Sequence, residues 1–339
     1  MKAAVIERPG RLVIKDVPRP VCGDNEIVIK VRSASICNST DHHIYEGAFT
    51  GYHDYYPQIF AHEVCGDVVE TGKQVKGLRD GERIVFYTGN GAFCEYTKVN
   101  ADWPWARVAD NISDEEAPLI EMFYGALIQS VFPAPMQDGE KVLIIGQGPM
   151  GLTTLQSVIA MNRVVVGAID IFDFCLQKSK EFGADFTYNR SKLSSEEIAK
   201  QINKDMGKID LIHVCTSVDM SKEQDLFDFA VNVCGEFGRI TGLNVEVKGL
   251  QHSVRVFPLF RKNILMARSL DLAAYPLVQP EMGIKQREVF QMGADWMHAG
   301  KVNLKSLITH RITMEEAVQG IHLCHAEMDK TIKVVMQMD

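Results

Sequence analysis

The sequence lacks the features that mark chains for nucleic acids, membranes or secretion. Asp+Glu number 44 against Lys+Arg 36, which gives a net charge of −8 with no basic cluster. This balance argues against a nucleic-acid partner, which needs a clustered positive face. No apolar stretch reaches the roughly 18 residues of a membrane helix. The opening segment, MKAAVIERPG, is too interrupted by charge for a secretory signal. We therefore expect neither a membrane nor a nucleic acid as partner.

Paired cysteines are missing as well. The chain has 8 cysteines, and none of them forms a CxxC pair. Local pairs of that kind mark structural zinc sites and redox motifs. Free thiols in a reducing cytoplasm are therefore the better interpretation, with most of the eight acting as small buried apolar residues. We expect a cytoplasmic protein.

The order of hydrophobic segments predicts two kinds of architecture. The first hundred residues contain short alternating or apolar runs separated by Gly, Pro and Asp, which is typical of an antiparallel β domain. A helix is expected to begin at Ser113, since Glu116 completes a capping-box spacing. From KVLIIG onward, strands alternate with helices, which predicts βαβ units and a parallel sheet. The expected class is α/β, with a β-rich domain and a doubly wound parallel sheet.

A glycine loop follows the predicted strand KVLII and opens a helix, as a dinucleotide-binding loop requires. In this pattern the first glycine permits a tight turn, the second lets the backbone approach a pyrophosphate, and the third lets helix and strand pack closely. The helix N-terminus adds partial positive charge. The predicted cofactor-binding residues of the loop are Gly146, Gly148, Pro149, Met150 and Gly151.

An acidic residue ends the next predicted strand, RVVVGAID. Asp170 can accept hydrogen bonds from the adenosine ribose and would repel a 2′-phosphate. This favours NAD over NADP as the cofactor. Asp173 lies close by in the sequence and is the alternative acid.

Residues suited to a catalytic metal site are spread over three segments. Catalytic zinc takes three protein ligands from distant elements and keeps one position open. Cys37 follows the strand VRSASI and His62 lies in FAHEVCGDVVETG. The third candidate is a carboxylate, either Glu63 or Glu121. The spacing alone is a weak signal, because a lone Cys and a lone His more often belong to a core or a surface.

Several motifs in order give the chain a resemblance to a known family over essentially its whole length. They are CNSTDHHIYEG, FAHEVCGDVVETG, DGERIV, GAFCEYTKV, PLIEMFYGAL, GQGPMG, IDIFDFCLQKSKEFGAD and GKVNLKSLITHRI. The chain resembles the zinc-dependent medium-chain dehydrogenase/reductase superfamily, the alcohol and polyol dehydrogenases. The resemblance implies a GroES-like catalytic domain over 1–122 and 268–339, and a Rossmann NAD-binding domain over 123–267. It also implies a homo-oligomer, either a dimer or a tetramer.

The resemblance assigns roles to the candidate ligands. Cys37 matches the thiolate ligand and His62 the imidazole ligand of the family. Glu121 matches the carboxylate of the polyol-type members, which bind zinc directly or through water. Glu63 matches a neighbouring or alternating ligand, so the direct carboxylate ligand stays open between these two.

Further roles concern proton transfer and the cofactor. Ser39 matches the hydroxyl that takes the substrate proton, and His42 matches the outer end of the family's proton relay through the cofactor ribose. Lys330 resembles a basic residue that contacts the pyrophosphate. His43 is expected to be solvated or to line the mouth of the site.

Two departures from the family pattern are visible. Ala61 replaces the usual Gly before His-Glu, and its methyl group is tolerable unless the backbone there needs a positive φ. The family's lobe of four closely spaced cysteines is missing, since ERIVFYTGNGAFCEY contains only Cys94. We therefore expect one catalytic zinc and no structural zinc.

The resemblance implies an oxidoreductase that moves a hydride between NAD(H) and a secondary alcohol or ketone. The carboxylate ligand and the missing lobe favour a polyol, sugar or cyclitol as substrate, and the tyrosine-rich segment HIYEGAFTGYHDYYPQ could hydrogen-bond such a molecule. A simple secondary-alcohol dehydrogenase and a zinc-free reductase of the same superfamily are the alternatives. A non-catalytic NAD-binding protein is a further one, but it would have no need for metal ligands and relay residues together.

Overall fold

The computed structural model describes residues 1–47, 56–88, 91–216, 224–241, 261–266 and 286–338. The chain divides into two compact units, Met1–Tyr124 with Gln279–Asp339, and Gly125–Val278. The predicted boundary between residues 267 and 268 falls in the range 267–285, outside the described residues. That boundary therefore stays a prediction.

The strands of the described residues follow in chain order: β1 (Lys2–Arg8), β2 (Arg11–Asp16), β3 (Glu26–Ser35), β4 (Gln58–Ile59), β5 (Glu63–Thr71), β6 (Arg83–Tyr87), β7 (Tyr96–Asn100), β8 (Trp105–Arg107), β9 (Lys141–Ile145), β10 (Val165–Asp170), β11 (Phe186–Asn189), β12 (Ile209–Val214), β13 (Cys234–Thr241), β14 (Leu265–Met266), β15 (Ile308–Ile312) and β16 (Lys333–Gln337). The α-helices are α1 (Thr40–Glu46), α2 (Leu119–Ala126), α3 (Pro149–Met161), α4 (Asp173–Glu181), α5 (Ser195–Asp205), α6 (Gln224–Val233), α7 (Gln286–His298) and α8 (Ala317–Ala326).

The first unit is built on β sheets, as predicted for the N-terminal hundred residues. Strands β2, β1 and β4 form a small sheet, and a larger sheet has the order β15-β16-β3-β5-β6-β8, with β7 also paired to β3. Ile27, Ile29 and Val31 alternate along β3 and belong to the apolar core, since successive side chains of a strand point to opposite faces. Strand β3 thus brings its C-terminal end beside β5 and β16.

The helix expected from Ser113 begins later than predicted. The Ser113 backbone carbonyl accepts the N–H of Glu116, and the Ser113 N–H donates to the Glu116 carboxylate at 3.1 Å. Residues 114–118 nevertheless form turns, and α2 starts at Leu119. Pro118 explains the difference, because it offers no N–H to a helix and disfavours helical geometry in the residue before it.

The second unit contains the predicted parallel sheet. Its strand order is β11-β10-β9-β12-β13-β14, and every pair is parallel. The order reverses between β9 and β12, which makes this the topological switch point of a doubly wound Rossmann sheet. Ligands of such sheets bind beyond the carboxyl ends of the strands at that point. The predicted α/β class, with a GroES-like part and a Rossmann part, is confirmed.

None of the helices formed by the described residues combines the length and the apolar character needed to cross a bilayer.

Candidate active site

Three side chains with metal-binding atoms come together in the first unit. Cys37 lies just after β3, and His62 and Glu63 lie at the start of β5. The antiparallel pairing of the two strands sets Ser35 opposite Glu63 and so brings these segments side by side. The Cys37 sulfur, a His62 ring nitrogen and a Glu63 carboxylate oxygen all lie within 4.8 Å of one another. Thiolate, imidazole and carboxylate are ligands that zinc accepts, so this donor set fits a catalytic zinc ion.

The His62 ring is held by Asp41, which the sequence analysis did not single out. Asp41 is buried in the first turn of α1, and its Oδ1 lies 2.8 Å from His62 Nδ1. Its Oδ2 accepts the backbone N–H of Cys37 at 2.8 Å. A carboxylate at Nδ1 fixes the ring and leaves Nε2 for a metal. The available signal was an acid one helical turn after Cys37, whose carbonyl accepts the Asp41 N–H.

The electrostatics around His62 favour a positive charge. Burial by itself would lower the pKa of His62, but the Asp41 carboxylate and the Cys37 side chain together raise this pKa well above its ordinary value. The same groups would stabilise a cation at this place, because opposite charges at short range favour the charged form.

A second buried contact holds Glu63 and was also missed. Lys333 on β16 is only 1% exposed, and its Nζ lies 2.7 Å from Glu63 Oε1 and 2.6 Å from Oε2. It also donates to the Ile36 carbonyl at 2.7 Å, and Ser35 Oγ donates to Glu63 Oε2. Burial would lower the pKa of Lys333, but the Glu63 carboxylate raises it. Both oxygens of Glu63 are thus already engaged by protein groups.

Lys330, the basic residue predicted from the sequence, is not the lysine that contacts Glu63. Lys330 is exposed, and its backbone N–H donates to Glu327. Its proposed contact with a pyrophosphate stays a prediction. Lys333 was visible as the single charge inside the apolar closing strand IKVVM, and a lysine is seldom fully buried unless it is paired.

Glu121 lies on the first turn of α2 and is only 4% exposed. It is not part of the three-residue group formed by Cys37, His62 and Glu63. Burial raises the pKa of Glu121 to about 7, while His62 lowers it and Glu63 raises it. Its carboxylate makes no hydrogen bond or ion pair with the described residues. Glu121 is therefore a buried acid close enough to interact with the ligand group yet not committed to a partner there.

The two predicted relay residues lie at the start of α1, Ser39 as its N-cap and His42 within its first turn. Ser39 is half-buried at the helix N-terminus, and its carbonyl accepts the His43 N–H at 3.0 Å. His42 is 8% exposed, with Nε2 3.2 Å from Glu46 Oε2. His43, expected to be solvated or to line the mouth of the site, is half-buried.

The glycine loop of the second unit has the geometry expected of a dinucleotide-binding loop. Gly146 follows β9 with φ +90°, a conformation that favours glycine. Gly148 is the N-cap of α3 and Pro149 is its first residue. A Cβ built on Gly151 would lie 1.8 Å from the Gly146 carbonyl oxygen, whereas one built on Gly148 meets nothing within 4 Å. The loop thus combines one tightly packed glycine with one that faces open space.

Asp170 ends β10 and contacts this loop. Its Oδ2 accepts the Gln147 N–H at 2.6 Å and its Oδ1 the Phe172 N–H at 2.9 Å. Burial raises the pKa of Asp170, against the effect of those hydrogen bonds. The alternative acid, Asp173, instead forms an ion pair with Lys192. The contact with the loop favours Asp170 as the acid beside a bound dinucleotide.

The sequence and the fold are both similar to those of known proteins. Residues 23–109 match the alcohol dehydrogenase GroES-like domain. Sorbitol dehydrogenase of Ovis aries is 27% identical over 99% of this chain and 96% of its own length. The fold matches galactitol-1-phosphate dehydrogenase from Escherichia coli, with TM-score 0.80 and 21% identity over 100% of both chains. It also matches an E. coli alcohol dehydrogenase complexed with NADH, with TM-score 0.80 and 24% identity over 100% of this chain and 99% of that one.

The chain is similar over essentially its whole length to members of the zinc-dependent medium-chain dehydrogenase/reductase superfamily. The family resemblance inferred from the motifs is thereby confirmed.

The alanine that departs from the superfamily pattern occupies a strained backbone position. Ala61 has φ +63°, the left-handed region that the sequence analysis named as the condition for strain. An L-residue there costs about 1–2 kcal/mol. Backbone hydrogen bonds hold this conformation, since the Ala61 carbonyl accepts the N–H groups of Gly91 at 2.8 Å and Ala92 at 3.1 Å. The neighbouring ligand His62 is thus carried by a firmly fixed turn.

The tyrosine-rich segment is only partly described. The hydroxyl of Tyr45 donates to the Gly10 carbonyl at 3.0 Å, and that of Tyr56 donates to the Ile44 carbonyl. These two tyrosines therefore fasten the protein's own backbone. Tyr52, His53 and Tyr55 lie outside the described residues.

The cysteines other than Cys37 show no sign of metal binding in the described residues. None of the eight forms a disulfide within the described residues, and five of them are buried. Burial raises the pKa of Cys94 to about 12, and its sulfur donates to the Gly91 carbonyl at 3.2 Å. Such thiols resist ionisation, which a metal ligand requires.

Proposed function

We propose that the protein is a zinc- and NAD-dependent dehydrogenase that oxidises a secondary alcohol of a polyol, sugar or cyclitol. The observation that carries the proposal is the group formed by half-buried Cys37 with buried His62 and Glu63, whose ligand atoms lie within 4.8 Å of one another. The glycine loop with Asp170 supplies the second requirement, a dinucleotide site. The named activity of the sorbitol dehydrogenase relatives supports a polyol as substrate.

Cys37 and His62 would hold the zinc ion together with a carboxylate. Zinc bound there would polarise the substrate hydroxyl and lower its pKa. We propose Glu121 as the carboxylate that acts directly or through water, because both oxygens of Glu63 are engaged by Lys333 and Ser35. Glu63 would then be the alternating partner. Asp41 keeps His62 in the orientation that binding requires.

Proton removal is assigned to two side chains of the first unit. Ser39 has a hydroxyl that can both accept and donate a proton. His42 can take up a proton at a ring nitrogen and release one from the other. We propose that the substrate proton passes from Ser39 toward His42 and then to solvent.

NAD is the proposed cofactor, and Asp170 is the residue proposed to select it. Asp170→Ala should relax the preference for NAD over NADP, because the charge that repels a 2′-phosphate is removed. Asp173→Ala is the matched control, since this exposed acid is paired with Lys192. The ratio of kcat/KM for the two cofactors measures the effect. A ratio unchanged by Asp170→Ala but altered by Asp173→Ala would transfer the role to Asp173.

The experiment that tests the function combines metal analysis with a substrate screen. Protein prepared without chelator should hold one zinc per chain and form NADH with one or more polyols, sugars, cyclitols or simple secondary alcohols. Cys37→Ala should lose the zinc and the turnover but keep NADH binding. Cys22→Ala, a half-buried free thiol away from the group, is the control. Turnover with no zinc bound would favour the zinc-free reductase instead, and a simple alcohol as best substrate would favour the simpler dehydrogenase.

A cytoplasmic location and a homo-oligomeric state, dimer or tetramer, complete the proposal. The free thiols support a reducing compartment. Size measurement in solution would test the assembly.

A further inference from the structure

A second histidine lies against His42 from another helix. The rings of His42 on α1 and His325 on α8 are stacked, with centroids 3.7 Å apart and an interplanar angle of 18°. His42 is buried, whereas His325 is exposed. Within the described residues, His42 Nδ1 has no hydrogen-bond partner, although it is shielded from solvent. Its Nε2 lies 3.2 Å from Glu46 Oε2. A ring nitrogen that is buried without a hydrogen-bond partner is free to accept a proton or a hydrogen bond.

We propose that His325 and Glu46 are positioning residues for His42: the stacked His325 ring disfavours the charged form of His42, and Glu46 orients the ring through Nε2 so that the Nδ1 lone pair is ready to accept a proton. This inference rests on the proposed function, in which His42 passes the substrate proton to solvent. It adds two residues that neither the motifs nor the relatives' names assign.

The contacts of His42 determine which nitrogen carries the hydrogen. Glu46 is a carboxylate and can only accept, so Nε2 is the nitrogen that carries the hydrogen in the neutral ring. Nδ1 is then the basic atom. A proton taken up at Nδ1 can be balanced by release of the Nε2 proton to Glu46, whose side chain is 58% exposed to water. One proton enters, one leaves, and the ring returns to its neutral form after a tautomer shift.

The groups around the His42 ring have opposite effects on its pKa. The titratable groups that face His42 are His325 from α8, and Glu46 and His43 from its own helix. Burial lowers the pKa of His42 most, His325 and His43 lower it further, and Glu46 raises it. Two imidazolium rings stacked this closely repel each other, so the pair takes its first proton more easily than its second. His42 is the buried ring of the pair and is therefore the one that stays neutral.

Two substitutions should move the titration of His42 in opposite directions. His325→Phe keeps a flat ring for stacking but removes the charge, so the pKa of His42 should rise. Glu46→Gln removes the compensating carboxylate, so this pKa should fall. Each change is expected to be about one pH unit, the size of a charge interaction at this distance in a water-like medium. His322→Phe, an exposed histidine on the same helix, is the matched control and should change nothing.

The measurement is an NMR titration of the imidazole signals in the zinc-loaded protein, with the His42 signal assigned by its loss in His42→Gln. In the pH profile of kcat/KM, the acid limb should shift to higher pH with His325→Phe and to lower pH with Glu46→Gln. An unchanged His42 titration in His325→Phe overturns the proposal. If the His325→Phe protein does not fold, His325→Asn replaces it, and the pKa of His42 should again rise. Absence of any alcohol oxidation would refute the proposed function instead, and the NMR titration would still decide the role of His325.

Discussion

A methyl group added at Gly151 or at Gly148 should have two different effects, although both glycines belong to one loop. At Gly151 the new Cβ would stand 1.8 Å from the Gly146 carbonyl oxygen, about half the 3.4 Å at which ordinary contact begins. At Gly148 the new Cβ meets nothing within 4 Å. The first change therefore strains the protein itself, and the second fills space reserved for a ligand.

The expected size of each effect follows from these contacts. Forcing an extra methyl into a packed position costs about 1–3 kcal/mol, and alanine in a helix returns up to about 1 kcal/mol relative to glycine. Because the clash is with a backbone atom, the cost lies at the upper end of this range, so Gly151→Ala should lower the free energy of unfolding by about 2 kcal/mol, or Tm by about 4–8 °C. Gly148→Ala affects an N-cap position and should cost only about 0.5 kcal/mol. Its main effect should be weaker NADH binding, because the methyl stands where the pyrophosphate approaches.

Thermal unfolding without cofactor and fluorescence titration with NADH separate the two outcomes. Gly148→Ala should unfold near the wild-type temperature and bind NADH more weakly. Gly151→Ala should unfold earlier before any cofactor is added. The reasoning is refuted if Gly151→Ala is as stable as wild type, or if Gly148→Ala binds NADH with wild-type affinity.

Two further predictions concern the buried charges of the metal group. Asp41→Asn should weaken zinc binding about 10–100-fold, because a neutral amide does not support the His62 ring as a carboxylate does. Competition with a chromogenic chelator measures the zinc affinity. An unchanged affinity would contradict the role of Asp41. Lys333→Met should lower the free energy of unfolding by about 3–5 kcal/mol, because it leaves the Glu63 carboxylate buried without its cation. Adding Glu63→Gln should recover part of that loss in urea denaturation, whereas Lys330→Met, at an exposed site, should leave stability unchanged. A Lys333→Met protein as stable as the Lys330→Met control would show that the ion pair does not contribute.

The parts of the site that lie close together along the chain could be predicted from the sequence. The loop from Gly146 to Gly151 is defined by a strand, a turn and a helix start, all of which depend on neighbouring residues. Cys37 and His62 were named by their motifs, and the pairing of β3 with β5 brings them together. Ala61 was recognised as a departure, but whether its methyl causes strain depended on φ, which the structure gives as +63°.

The parts that depend on distant contacts could not be predicted in this way. Asp41 lies next to the relay histidine in sequence, yet its function follows from a ring 21 positions later that packs against it. Lys333 was passed over for Lys330 because both are lysines near the C-terminus, and only burial distinguishes them. The late start of α2 could not be predicted either, because the capping-box spacing of Ser113 and Glu116 does not start a helix when Pro118 follows it.

The sequence by itself determined the order of strands and helices and the dinucleotide loop, because these follow from local hydrogen bonding and side-chain periodicity. It named Cys37 and His62 as candidate ligands only through the family motifs. Only the tertiary structure decided which carboxylate is already neutralised, since Lys333 reaches Glu63 across 270 positions of the chain. It also decided which histidine faces His42. Charges interact through space over a few ångströms, and the chain brings such partners together only when the sheets and helices have packed.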